Sequence, residues 1–116
     1  MPKRNKWIRL RHMLDHAQED LALAQGRTRG ELDSDRLLNL ALVRLLEVVG
    51  EAANRVPKDE QSLHPEIPWS SIVGLRHRLI HGYDMVDNDI LWQVIIQDLP
   101  SLVAQLETIL AQNDAK

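Results

Sequence analysis

The stretch Asp35–Arg55, DRLLNLALVRLLEVVGEAANR, decides how this chain folds. Leu37, Leu38, Leu40, Leu42, Val43, Leu45, Leu46, Val48 and Val49 place aliphatic side chains around most of a helical circumference. Only Arg44, Glu47, Glu51 and Asn54, at steps of three and four, leave a narrow polar stripe. A helix this apolar belongs at the centre, covered by other helices and with room for a second subunit among its neighbours. Ser34 or Asp35 can cap its first turn by accepting unpaired N–H groups. Pro57 stops it, because proline cannot donate the helical bond and restricts the residue before it.

Helical periodicity continues on both sides. From about Asn5 to Gln25 a stripe of Trp7, Leu10, Leu14, Ala17, Leu21 and Ala24 predicts an amphipathic helix, with Arg9, Asp15, Glu19 and Asp20 on its other sides. Gly26 and Gly30 end it in a turn. Lys58 to Pro68 reads as a polar loop with at most one short turn. A third helix is expected from about Trp69 to His81, with Gly82 as its exit. Asp87 or Asp89 starts a fourth, carrying Leu91, Ile95, Leu99, Leu102, Leu106 and Ile109. Pro100 lies inside that pattern and predicts a kink or break near Asp98. The expected architecture is all-α: an antiparallel bundle of four to five helices spanning residues 1–116 as one domain.

Composition narrows the function classes. The 116 residues contain no cysteine, which excludes disulfides, thiolate-held zinc and a thiol nucleophile. Phe is absent and Tyr83 is the only tyrosine, so no aromatic platform implies a base preference. The net charge of −3 argues against a protein that coats nucleic acid through bulk charge. A local basic patch remains, since Lys3, Arg4, Lys6, Arg9 and Arg11 crowd the start, either as a solvated helix end or as a phosphate-facing edge. No apolar run approaches the length of a membrane span and the first ten residues are too charged for a signal peptide, so the expectation is a cytoplasmic protein without a membrane partner.

Reactive side chains concentrate in Arg76-His77-Arg78-Leu79-Ile80-His81-Gly82-Tyr83-Asp84. Arginine holds phosphate oxygens through a planar fork of donors, and histidine moves protons near neutral pH. Together they suit chemistry on a phosphodiester, with no metal required if the substrate's own ribose 2′-hydroxyl attacks. Arg76 and His81 are five positions apart, about 140° around a helix. They share a face only if the helix loosens near Gly82, or if a twofold dimer builds one cleft from two copies. A surface helix end with favourable cations is the plain alternative.

Glu47 and Glu51 repel each other on adjacent turns. Arg44 and Arg55 can offset them locally, or the two carboxylates can orient Arg76 or Arg78 on the neighbouring helix. His12/His16, His77/His81 and Glu47/Glu51 have the i, i+4 spacing of metal ligands, but each pair lies on a different helix and the Glu-x-x-His pattern of bundle metal sites is missing. No metal and no cofactor is therefore expected. Tyr83 can pack its ring at the bundle end, or present its hydroxyl to a modifying enzyme just past a flexible glycine.

The Arg-x4-His-x-Tyr arrangement at Arg76, His81 and Tyr83 resembles the signature of the HEPN superfamily, and more narrowly of the HepT-like (DUF86) toxins. The likeness extends through Glu47–Val56 (EVVGEAANRV), Ile67-Pro68-Trp69, Ile72–Leu75, Val86-Asp87, Asp89-Ile90, Trp92 and Asp98-Leu99-Pro100, covering roughly residues 40 to 103. The resemblance implies a homodimeric helical bundle whose Arg76 and His81 form a metal-independent endoribonuclease site across the twofold axis. His77, Arg78, Glu47 and Glu51 would support that site. It also implies a toxin–antitoxin pair in which an MNT-type nucleotidyltransferase transfers AMP to Tyr83 and blocks cleavage. The family commonly has Asn after the arginine, where this chain has His77. The rival reading is a non-catalytic module whose Arg/His cleft holds a nucleotide or supports the nucleotidyltransferase.

Overall fold

The computed structural model describes residues 2–114, with side chains over 7–112. It is mostly helical, as its sequence periodicity predicts. Helix α1 (Pro2–Ala24) leads through a turn and the short α2 (Glu31–Ser34) into α3 (Arg36–Asn54). Three short helices follow: α4 (Lys58–Ser62), α5 (Trp69–Val73) and α6 (Leu75–Leu79). A two-residue hairpin, β1 (Ile80–His81) and β2 (Met85–Val86), precedes α7 (Asn88–Gln93), a wide turn at Val94–Asp98 and α8 (Leu99–Asp114). Helices α1, α3 and α8 form the body, with α1 packed against both others and α5 and α6 laid on α3.

Local chemistry accounts for the boundaries. Gly26, at φ +78°, terminates α1 in the left-handed region that only glycine enters freely. The Asp35 carboxylate accepts the Leu38 N–H at 3.0 Å and caps α3, and Asp87 caps α7 by accepting from Ile90 N–H at 3.1 Å. Past the end of α3, the buried Gln61 amide donates to the carbonyls of Ala53 and Val56 and ties α4 to the helix end. The core is aliphatic throughout. Leu10, Met13 and Ala17 of α1 meet Leu42, Leu46 and Val49 of α3 and Leu99 and Leu106 of α8 in one cluster. Leu37 and Leu40 on the outer face of α3 stay exposed.

Four expectations are corrected. The segment Trp69–His81 is not one helix: it turns at Gly74, resumes, and ends at Leu79, so His81 lies on an extended strand. The kink or break expected near Asp98 is a local distortion of the helix and not a break. The turn before Pro100 widens, with Leu99 N–H donating to the Val94 carbonyl five residues back, and this expanded turn carries the helix past a residue that has no N–H to give. The third correction concerns the expectation that no apolar run approaches a membrane span: Asn88–Gln112 runs as 25 continuous helical residues, long and apolar enough by length and composition to cross one. Its apolar side (Leu91, Val94, Ile95, Leu99, Leu102, Leu106, Ile109) is spent on the core. Of the basic N-terminal group, the side chains of Lys3, Arg4 and Lys6 lie outside the described residues.

The fourth correction is Asp20, which is fully buried rather than on the polar side of α1. Neither of its oxygens meets a donor among the described residues. Burial, and secondarily the charge of Glu19, pushes its carboxyl from 3.8 up to about 8. The unfolded chain therefore releases this proton at lower pH than the folded one does. The group's contribution is most favourable below its unfolded value, declines as pH rises towards about 8, and is constant above that. Asp20→Asn is expected to remove this slope and to stabilise the fold at neutral pH by about 2 kcal/mol or more. Urea unfolding of both proteins across the acid-to-neutral range measures the difference.

Candidate functional site

The reactive cluster sits where α6 gives way to the hairpin. Ile80 pairs with Val86 and His81 with Met85 in an antiparallel ladder, and Asp87 N–H closes onto the Leu79 carbonyl at 2.8 Å. Gly82, at φ +67°, makes the turn. Side chains alternate across such a ribbon. Ile80 and Val86 pack against the core, while His81 and Met85 face away. Tyr83 stands at the tip, 88% exposed.

Arg76 projects from α6 towards α3, where its guanidinium donates to Glu47 Oε2 at 2.5 Å. Glu47 is mostly buried, with 16% of its side chain exposed, whereas Arg76 retains 60%. The carboxylate therefore fixes one edge of the guanidinium and leaves the remainder open to a ligand. Arg44 approaches Glu47 and Glu51 at 3.9 Å each. Both sequence readings of the acidic pair thus hold in part: Glu47 orients Arg76 and is also flanked by Arg44, while Glu51 meets only the local Arg44 among the described residues. Arg78 turns the other way, towards Asp98 at 3.6 Å, and is not held by either glutamate. His77 is exposed and makes no hydrogen bond or ion pair among the described residues.

His81 is exposed, with Nε2 3.6 Å from an Asp87 carboxylate oxygen. Asp87 was expected only as a cap, and it serves both purposes. The Ile90 N–H, and then His81, hold its carboxyl below the usual carboxylate range, so it remains an anion beside the imidazole. Arg76 and Tyr83 line one cleft of about 740 Å³ between α3, α6 and the hairpin. His81 is not part of that lining. Within one chain, then, the arginine and tyrosine share a cavity and the histidine faces outward beside it.

The cleft also contains residues that the motif reading passed over. Arg36 and Arg44 of α3 border it, as do Asn39 and Asn88. The Asn39 amide donates to the Leu32 carbonyl at 3.0 Å and to Asn88 Oδ1 at 2.8 Å, and the Asn88 amide donates to Asp33 at 2.9 Å. Arg29 bridges Asp33 and Asp89 at 2.9 and 2.6 Å. This polar lacing ties α2 to the start of α7 and fixes the cleft's far end. The lacing needs contacts between residues some fifty positions apart, a relation that helical periodicity does not carry. Among the described residues no three His, Asp or Glu side chains group as metal ligands would.

Residues 10–109 match the family described as Ribonuclease HepT-like, and the chain belongs to that family. Among its relatives, a protein named "Probable ribonuclease HepT" from Thermococcus cleftensis is 41% identical over 75 residues, 65% of this chain and 68% of the relative. Two others share the designation "Putative RNase". The one from Caldanaerobacter subterraneus subsp. tengcongensis is 35% identical over 87% of this chain and 90% of its own. The one from Methanocaldococcus jannaschii is 30% identical over 95% of this chain and 91% of its own. No solved structure matches the chain.

The hairpin's conformation rests on Gly82, whose Cα has open space around it, so that a substitution there meets only backbone strain. Gly82→Ala is expected to cost about 1 kcal/mol and to loosen the turn. Faster hydrogen exchange at the Asp87 amide, with the amides of α3 unchanged, is the expected readout.

Proposed function

We propose that this protein is a metal-independent endoribonuclease that acts as the toxin of a toxin–antitoxin pair. The observation that carries the reading is the placement of Arg76, His81 and Tyr83 at one exposed helix-to-hairpin junction, in a chain of the HepT-like family. Arg76, oriented by Glu47, binds the scissile phosphate and stabilises the charge that develops on it. His81 relays the proton as the ribose 2′-oxygen attacks phosphorus and the bond to the 5′-oxygen breaks. The products are a 2′,3′-cyclic phosphate and a 5′-hydroxyl. His77 and Arg78 flank the arginine and contribute positive charge around the substrate.

Because Arg76 and His81 of one chain do not border the same cleft, a working site calls for two copies. A homodimer related by a twofold axis joins the arginine side of one protomer to the histidine side of its partner. The exposed Leu37 on α3, Val73 on α5 and Met85 on the hairpin supply apolar surface for such an interface. Neutralisation follows from Tyr83: an MNT-type nucleotidyltransferase antitoxin directs the tyrosine oxygen onto the α-phosphate of ATP. Pyrophosphate leaves, the phenolic proton passes to solvent, and the added AMP obstructs the cleft that Tyr83 borders.

Arg76→Ala and His81→Ala are each expected to lower RNA cleavage at least about a hundredfold in the presence of a chelator, with the dimer mass preserved. Retained cleavage by both purified variants would overturn the catalytic assignment. Tyr83→Phe is expected to keep toxicity in cells and escape the nucleotidyltransferase. Mass spectrometry after incubation with ATP and the candidate partner checks whether the adduct sits on the Tyr83 peptide.

A further inference from the structure

The Arg76 cleft does not end at Arg76. It continues along α3, where Arg44 and Arg36 border the same cavity. These two are eight residues apart, about 12 Å along the helix axis, far enough to meet different phosphates of one strand. Its floor is apolar, formed by Leu40 and Val43 of α3 with Ile80 and Val86 of the hairpin. About 740 Å³ leaves space for sugars and bases as well as for phosphate.

The charge bookkeeping of the cleft selects its ligand. Three carboxylates also border it, Asp33, Glu47 and Asp84, so it is not uniformly positive. Asp33 is occupied by the Asn88 amide and Arg29, and Glu47 by Arg76, while Asp84 is exposed at the hairpin turn, away from α3, and makes no hydrogen bond or ion pair among the described residues. Arg44 has only the two 3.9 Å approaches to glutamates, and Arg36 is exposed with no hydrogen bond or ion pair among the described residues. Spare cationic capacity therefore lies at the α3 side, in line with Arg76. No aromatic side chain other than Tyr83 borders the cleft, so a strand would be held by its backbone with little choice of base.

We propose that Arg36 and Arg44 form a phosphate track that seats single-stranded RNA along α3 and feeds it to Arg76. The track rests on the ribonuclease reading above and extends it: these arginines hold flanking phosphates and touch no reacting atom. Their loss should weaken RNA binding and raise KM while kcat stays within about twofold.

The test titrates a short unstructured oligouridylate into the His81→Ala protein, which leaves the track intact and prevents cutting, and repeats the titration with Arg36→Gln and Arg44→Gln added. Binding is expected to weaken about tenfold, and the slope of log affinity against log salt to fall by about 1.4, for two lost contacts to a single strand. Arg55→Gln, which removes the same charge just past the end of α3 and outside the cleft, should change neither. Light scattering checks that each variant keeps the mass of its parent. Arg36→Gln alone, at an exposed residue without a partner among the described residues, keeps the measurement readable if the double variant folds poorly.

Equal weakening by Arg55→Gln, unchanged binding in the double variant, or no binding by the parent would each overturn the track. If the wild-type protein binds the oligonucleotide but cuts no RNA, the nuclease reading falls. The comparison between Arg36/Arg44 and Arg55 then still decides the track.

Discussion

The close approach of α5 to α3 at Gly50 sets the position of everything at the functional end. A Cβ at Gly50 would lie 2.8 Å from the Ile72 carbonyl oxygen, a separation that only a hydrogen allows. With the backbones this near, Ile72, Leu75 and Leu79 bury against the aliphatic surface that includes Val43, Leu46 and Val49. One turn before Gly50 lies Glu47, and one turn after Ile72 lies Arg76, so the two reach each other. A missing side chain in the middle of the most apolar helix thus fixes where a guanidinium stands.

The electrostatic organisation follows the same economy. The chain carries a net charge of −3, yet two of the three carboxylates bordering the cleft are engaged, Glu47 by Arg76 and Asp33 by Asn88 and Arg29, and beside the cleft Asp87 is held by a helix N–H and His81. Pairing of this kind keeps local positive charge usable in an acidic protein. A charged group in the mostly buried position of Glu47 needs a partner, and the exposed part of Arg76 stays available because the partner binds only one edge of it.

Much of the fold could be read from local pattern. Periodic leucines and valines marked α1, α3 and the last helix, and Asp35 and Asp87 announced caps whose chemistry involves only the next three residues. What escaped reading depended on long-range packing. Asp20 looks polar in any helical projection, and only the packing of other elements against α1 closes water away from it. The hairpin at Ile80–Val86 is too short for an alternating pattern to outweigh the helical one before it, and Gly82, read as the exit of a helix, turns the hairpin instead, three residues past the end of α6. At the site, Arg76, His81, Tyr83 and Glu47 were legible as a cluster. The contribution of Arg36 was not, because a lone arginine in the first turn of a helix carries no motif.

The widened turn at Val94–Asp98 has an effect on the far side of the molecule. In an uninterrupted helix, Asp98 would fall seven residues after Leu91, two turns along the same inward stripe, and would bring a second carboxylate into the interior beside the burden already imposed by Asp20. The extra residue held in that turn slips the helical phase, so Asp98 emerges at the surface and meets Arg78. Pro100 and this phase slip therefore act as one adjustment: the imino acid relaxes the ladder, and the relaxed ladder keeps an anion out of the hydrocarbon interior.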